Sequence, residues 1–381
     1  DVYKRQTQNS TLQTCRIGIA VKDFPLPDLS TLATELDNGI PGLAIGGVVP
    51  GARALALAAI SAHGWPKRLA LVVVPHIAEA EDLAAGLSLL APDLRVGVAP
   101  AELASPYLGA EPPLAARLQT VGLLERVAKN EVDLVVAPAR LLGSPVPIPQ
   151  AVKDSTIRIS AGEQLDVGQL AAALGAAGYR RVDLVEEAGE FAVRGWVVDI
   201  HTGGEVGLRL QLDDDRVESI KSFDSTNQRS VGVALEDLTI LPVNPFPAQP
   251  ERRFEVAALL ETEFPALAVQ MAEGAEQRLW WGALHLAGES TNWLELADHM
   301  VVCDRDEVLG EHARWWQVQE REWQALSQRV MELPPPARLL FDSEFLRTAI
   351  ERPSLRIEQL ELVDGSTTWR RLATRPVESL S

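Results

Sequence analysis

Along the first third of the chain, apolar positions come in short runs separated by stretches of helical spacing. "LAIGG" (43–47) precedes an alanine-rich segment, Ala52–His63, and "LALVVVP" (69–75) precedes another near Ile77–Leu90. "LRVGVAP" (94–100) precedes a third near Pro113–Lys129, and "VDLVVAP" (132–138) closes the series. Short, wholly apolar runs mark strands buried on both faces. Their alternation with helices predicts βαβ units around a parallel sheet. The proline-rich "GSPVPIP" (143–149) then breaks the pattern and marks a boundary.

From about Asp154 the period changes. A helical segment, Val167–Ala177, is followed by the alternating runs "RRVDLVEE" (180–187), "GEFAVRGWVVDI" (189–200) and "GLRLQLDDDRVESIKSF" (207–223). This predicts an α+β unit, an antiparallel meander with one helix, ending at "LPVNPFPAQP" (241–250). The turn "EAGE" (187–190) is expected to join the first two runs as a hairpin. Beyond Glu251 the pattern is mainly helical. Asp304–Leu333 sets Leu309, Trp316, Trp323 and Val330 at seven-residue intervals, a stripe that packs on its own domain or docks a partner.

A length of 381 residues suits two or three domains. The net charge of −18 argues against a surface built mainly for nucleic acid, which needs clustered Lys and Arg. No apolar run approaches the ~18 residues of a membrane span, so no membrane partner is expected. The two cysteines, Cys15 and Cys303, fit neither a metal spacing nor a disulfide framework, which suggests a reducing, cytoplasmic compartment. Residues 1–14 are polar and aperiodic, and the chain reads as part of something longer.

Three stretches carry candidate chemistry. "GGVVPGAR" (46–53) has the outline of a phosphate-cradling loop, with Gly46 and Gly51 in place, but Ala52 and Arg53 stand where Lys and Ser/Thr are required. Alanine cannot neutralise phosphate, arginine cannot replace the hydroxyl that ligates Mg²⁺, and Pro50 removes an N–H donor. A scaffold without ATP hydrolysis is expected. "LDDDRV" reads as a solvated hairpin turn rather than a metal site, because successive carboxylates on a strand do not share a face. No catalytic Ser, His and acid set stands out. In "GYRRVDLVEEAGEFAVRGWVVDI" (178–200), Arg180 and Arg194 are presented from a sheet in an acidic unit. They either anchor a partner's carboxylates or pair internally, Arg194 with an acid such as Glu190 or Asp199.

That same stretch, followed by "SIKSFD", "QRS" and "LTILPVNPFP", resembles the middle domain of the UvrB/Mfd family, the latter being the transcription-repair coupling factors. The G-E-F, R-G, D-I, S-I-K-S-F-D and Q-R-S elements keep their order over ~60 residues. His201-Thr202 and Gln211-Leu212 depart from the family's Phe-Pro and aromatic pair. The decayed loop Gly46, Gly51, Ala52, Arg53 is similar to the coupling factors' first domain, and "EGAEQRLWWGALHL" (273–286) to the segment that returns to it.

The resemblance implies a degenerate helicase-like parallel-sheet α/β domain with an inserted α+β UvrB-type middle domain and a helical C-terminal part. The expected organisation is a leader at 1–14, a first domain at 15–150 and a UvrA-binding middle domain at 151–247. A mainly helical return to the first domain follows at 248–333, and 334–381 begins a further, truncated domain. The resemblance implies that Arg180, Arg194 and Phe191 contact UvrA in excision repair. RNA polymerase and DNA are then met only through absent C-terminal domains, and ATP and Mg belong to the absent motor of an ATP-dependent DNA translocase. The alternatives are a UvrB-like ATPase fragment, or a UvrB-shaped structural protein that has lost UvrA binding.

Overall fold

The computed structural model describes residues 29–100, 105–107, 112–243, 257–258, 260–272, 290–328, 332–351, 353–360 and 368–371. The expected leader at 1–14, Cys15, Val330, the boundary prolines Pro245, Pro247 and Pro250 and the segment 273–286 lie outside them. The apolar runs read from the sequence form β1 (Leu43–Gly46), β2 (Ala70–Val74), β3 (Val96–Val98) and β4 (Leu134–Pro138), with β5 (Val146–Pro147) after the break. The middle unit holds β6 (Ile157–Ser160), β7 (Arg180–Arg181), β8 (Glu190–Arg194), β9 (Val197–Ile200), β10 (Gly207–Asp213), β11 (Arg216–Phe223), β12 (Ser230–Leu235) and β13 (Asp237–Ile240). Then come β14 (Ser290–Thr291), β15 (His299–Cys303), β16 (Leu355–Glu358) and β17 (Thr368–Arg371).

The first sheet is parallel throughout, in the order β17-β1-β16-β15-β2-β4-β3. Side chains alternate between its two faces as a strand requires. Val72 and Val74 pack with the helices Ser30–Asp37, Arg53–Ser61 and Ile77–Leu90; Leu71 and Val73 pack on the other side with Leu114–Ala128, Arg305–Ser327 and Ser343–Ile350. This is the expected α/β layering with an α+β insertion. Among the described residues no helix is long and apolar enough to cross a membrane.

Two expectations are corrected. Residues 334–381 do not open a separate domain where they are described. β16 pairs with β1 on one side and β15 on the other, Leu355 opposing both Leu43 and Val301, and β17 flanks β1. Leu355 and Ile357, on one face of β16, are wholly buried in the core that Leu43, Ile45 and Val72 also enter, so the strand belongs to the first domain. The hairpin is also displaced: "EAGE" does not join two antiparallel strands, because β7 and β8 pair in parallel. The Glu190 carboxylate accepts the backbone N–H groups of Glu186 and Glu187 at 2.9 Å each, and Val185 is buried beneath. These contacts fold 182–189 into a compact connection. The tight turn lies at Gly195-Trp196, between the antiparallel pair β8 and β9.

The seven-residue stripe on Arg305–Ser327 packs on its own domain, rotated from the expected line. Val308, His312 and Gln319 are the buried positions, His312 stacks beside Trp315, and the helix lies against Ala139–Gly143 and Ser343–Ile350. Leu309, Trp316 and Trp323 of the expected stripe are half-buried.

The insertion is joined to the first domain through one helix. Leu114–Ala128 gives Val121 and Leu124 to the first core and Leu118 to the second, where it meets Tyr179, Phe191 and Ile200. Gly203 sits against Leu118 with φ of 93°, and a Cβ there would lie 2.3 Å from Leu118 Cδ1. Gly203→Ala is expected to destabilise the chain by about 2 kcal/mol through strain and overlap. Adding Leu118→Ala relieves only the overlap, so the pair should be non-additive in thermal denaturation. Strict additivity would show that the joint does not depend on this contact.

Candidate functional site

The loop after β1 runs through a single 3₁₀ turn, Pro50–Ala52, into the helix Arg53–Ser61. Gly51 has a negative-φ backbone and open space where a Cβ would stand, so nothing here demands glycine. Arg53, 2% exposed, turns inward. Its guanidinium pairs with Glu79 at the start of the next helix and with Asp304 at the end of β15. Burial opposes this charge, but Cys303, Asp304 and Glu79 outweigh it and raise the arginine's pKa. The neighbouring Glu358 is pushed by burial up to about 7. Asp304 stands at the carboxyl end of a parallel strand, where a metal-binding acid would be placed in a working site. A fixed internal cation thus sits between the acids. With Ala52 where a phosphate-binding lysine would stand, the residues present do not fit Mg-ATP.

The second candidate is the face of the insertion's sheet, ordered β12-β11-β10-β9-β8-β7. One side of this sheet forms the core around the helix Val167–Ala176, whose N-cap Asp166 accepts from Gln169 N at 2.7 Å. Phe191, Val198 and Ile200 lie on that side. Alternation puts Glu190, Ala192 and Arg194 on the other. Phe191 is 2% exposed. Its assignment as a partner contact is therefore corrected: the strand needs it for the core, and it faces away from Arg194.

Both arginines belong to the outer side, each oriented by a buried acid. Arg180, with its side chain 68% exposed, pairs with Glu190 and lies 3.8 Å from Glu187. Burial opposes ionisation of Glu190, yet two backbone N–H groups and Arg180 hold its pKa below the usual carboxylate range. Arg194 pairs with Asp199 on the adjoining strand, which is wholly buried. That contact uses Nη2 and leaves the rest of a guanidinium fork on a side chain 44% exposed. Asp199 also accepts from Arg209 Nε at 2.6 Å and Nη2 at 3.0 Å. Arg209 is itself fixed by a bond to the Gln228 carbonyl at 3.1 Å and lies 4.8 Å over the Phe223 ring. The internal pairing foreseen for Arg194 is thus present with Asp199, not Glu190, and it coexists with an exposed fork.

Sequence reading passed over Arg209 and Trp196. The signal for Arg209 was its place in "GLRLQL", where an arginine alternates with core leucines and so falls opposite Asp199 across the β9–β10 pair. "LDDDRV" closes the β10–β11 hairpin with Asp214 at φ of 56°, and its three acids are exposed. Among the described residues no group of three or more His, Cys, Asp or Glu could hold a metal ion.

The two arginines of Asp199 should separate in thermal denaturation. Arg209→Ala leaves a buried carboxylate with one partner and is expected to cost about 3 kcal/mol. Arg194→Ala, half in solvent with Arg209 still in place, should cost less than about 1 kcal/mol. Equal losses would show that Arg194 is a structural residue first.

Comparison with known proteins follows this geometry. Residues 157–246, spanning β6 to β13, match the family model described as the UvrB interaction domain. The chain is 28% identical over 221 residues to the transcription-repair-coupling factor of Bacillus subtilis, covering 57% of this chain and 18% of that protein. It is 32% identical over 211 residues to that of Haemophilus influenzae (53% and 18%) and 35% over 187 residues to that of Myxococcus xanthus (46% and 15%). The matched part spans less than a fifth of the length of these relatives. Residues 157–246 are identified as a UvrB interaction domain, in a chain similar to part of the transcription-repair-coupling factors.

Proposed function

We propose that this chain is a non-catalytic, UvrA-recruiting module of a transcription-repair-coupling factor, acting in transcription-coupled nucleotide excision repair in the cytoplasm. The observation that carries this is the outer face of the matched domain, where Arg180 and Arg194 stand on one side of a sheet, each guanidinium held by a buried acid and open to solvent. A fork fixed before binding loses little conformational freedom when it meets a carboxylate or carbonyl of the partner. The first domain supplies no chemistry in this proposal: its loop serves as the platform from which the insertion is held. RNA polymerase, DNA and the ATP-driven motor are assigned to parts of the full protein beyond this chain.

Two measurements test the proposal. Titration of UvrA should show binding to the parent chain, and Arg180→Ala and Arg194→Ala should each weaken it by about 2 kcal/mol, as charge-assisted interface anchors do. An Arg180→Ala, Arg194→Ala double variant that folds and binds UvrA as the parent does would overturn it. Titration with a fluorescent ATP analogue and Mg²⁺ should show no saturable binding, since the loop offers neither lysine nor hydroxyl. Micromolar binding, lost in Gly51→Asp, would return the first domain to the nucleotide-binding class.

A further inference from the structure

Trp196 lies two residues from Arg194, in the β8–β9 turn, and its side chain is exposed. Gly195 has a φ of 60° while Trp196 has none in the positive range, the pattern of a two-residue II′ turn with glycine first. The chain enters the turn at Arg194 and leaves at Val197, which are paired across the hairpin. The Trp196 carbonyl also accepts the Leu212 N–H at 2.8 Å, tying the turn to β10. The backbone is therefore fixed from both sides, while the residue is 55% exposed and belongs to none of the hydrophobic clusters formed among the described residues. Among the described tryptophans it is the one in the exposed class; the others are buried or half-buried.

A large apolar surface left in water on a rigid turn costs solubility and adds nothing to the core. Two residues before Trp196 stands Arg194, half-exposed and paired with Asp199. Tryptophan and arginine are the side chains that most often dominate binding energy when they sit together at the centre of an interface. The indole needs only two torsions fixed on binding, and the turn has already fixed the backbone.

We infer that Trp196 is the aromatic anchor of the UvrA-binding face, entering an apolar pocket on UvrA whose rim carries the carboxylates that meet Arg194 and Arg180. This rests on the UvrA-recruiting role proposed above. It extends the contact surface from the sheet's outer side to the β8–β9 turn and replaces Phe191 as its aromatic member. The charges select this occupant: an acid-rimmed pocket complements the two exposed arginines, whereas a second copy of this strongly acidic chain would be repelled at a distance.

The test uses the whole chain and purified UvrA. Trp196→Ala should weaken binding at least about tenfold, with the melting temperature within about 2 °C of the parent, and Trp196→Phe should recover most of the loss. The part of the tryptophan fluorescence that Trp196→Ala removes should be open to acrylamide quenching in the free chain and protected when UvrA is saturating. If Trp196→Ala binds as the parent does while Arg194→Ala is weakened, the anchor is overturned and the recruiting role stands. If the parent chain does not bind UvrA, both fall. If sedimentation instead shows a dimer that Trp196→Ala abolishes, the occupant is a second copy and the inference is overturned.

Discussion

The buried guanidinium of Arg53 ties the first domain together. A cation at 2% exposure cannot remain in an apolar sheet end without neutralisation, and Glu79 and Asp304 supply it. Those three residues come from the helix after β1, the helix after β2 and the end of β15, so one charge cluster links segments more than 250 residues apart in sequence. Asp304 holds the other side as well, accepting Gln359 N at 2.9 Å beyond β16. At the carboxyl end of β15, on the edge where α/β folds place their ligands, Asp304 is taken up by the protein's own contacts. The outline of a phosphate loop survives because β1 and its helix still pack.

The insertion solves the same electrostatic problem with the opposite outcome. Asp199 is as buried as Arg53, and it too is held by two partners. Here one partner, Arg209, is packed against Phe223 while the other, Arg194, remains half in water. Buried ion pairs add little to stability relative to apolar packing, and their attested use is to fix a geometry. In the first domain the geometry fixed is that of the scaffold. On the insertion it is the direction of an exposed arginine.

Much of this was legible in the sequence, within physical limits. Strands buried on both faces must be continuous apolar runs, so β1, β2 and β4 could be read directly. β16 and β17 could not be joined to that sheet, because strand order in a parallel sheet is set by long crossovers and leaves no local mark. The hairpin was misplaced for a different reason. "EAGE" and "RGW" both offer a glycine, and only the tertiary capture of two N–H groups by Glu190 decides which becomes the tight turn. Arg180 and Arg194 were found from their motif. Their acids and the buried position of Phe191 follow from the face alternation that the correct turn fixes. Arg53 was seen as a poor substitute for a metal ligand, and its role as an internal cation depends on Asp304, remote in sequence.

The β8–β9 turn, which carries the exposed Trp196, is held relative to the rest of the molecule. Two fixed points do this here. Leu118 enters the insertion's core and abuts Gly203, while the Trp196 carbonyl accepts the Leu212 N–H of β10, so the turn that follows Arg194 is tied to the neighbouring strand. The helix Leu114–Ala128 contributes to both cores at once, so the two units share one packed element. Packing against Leu118 requires this helix and its sheet, and neither requires ATP.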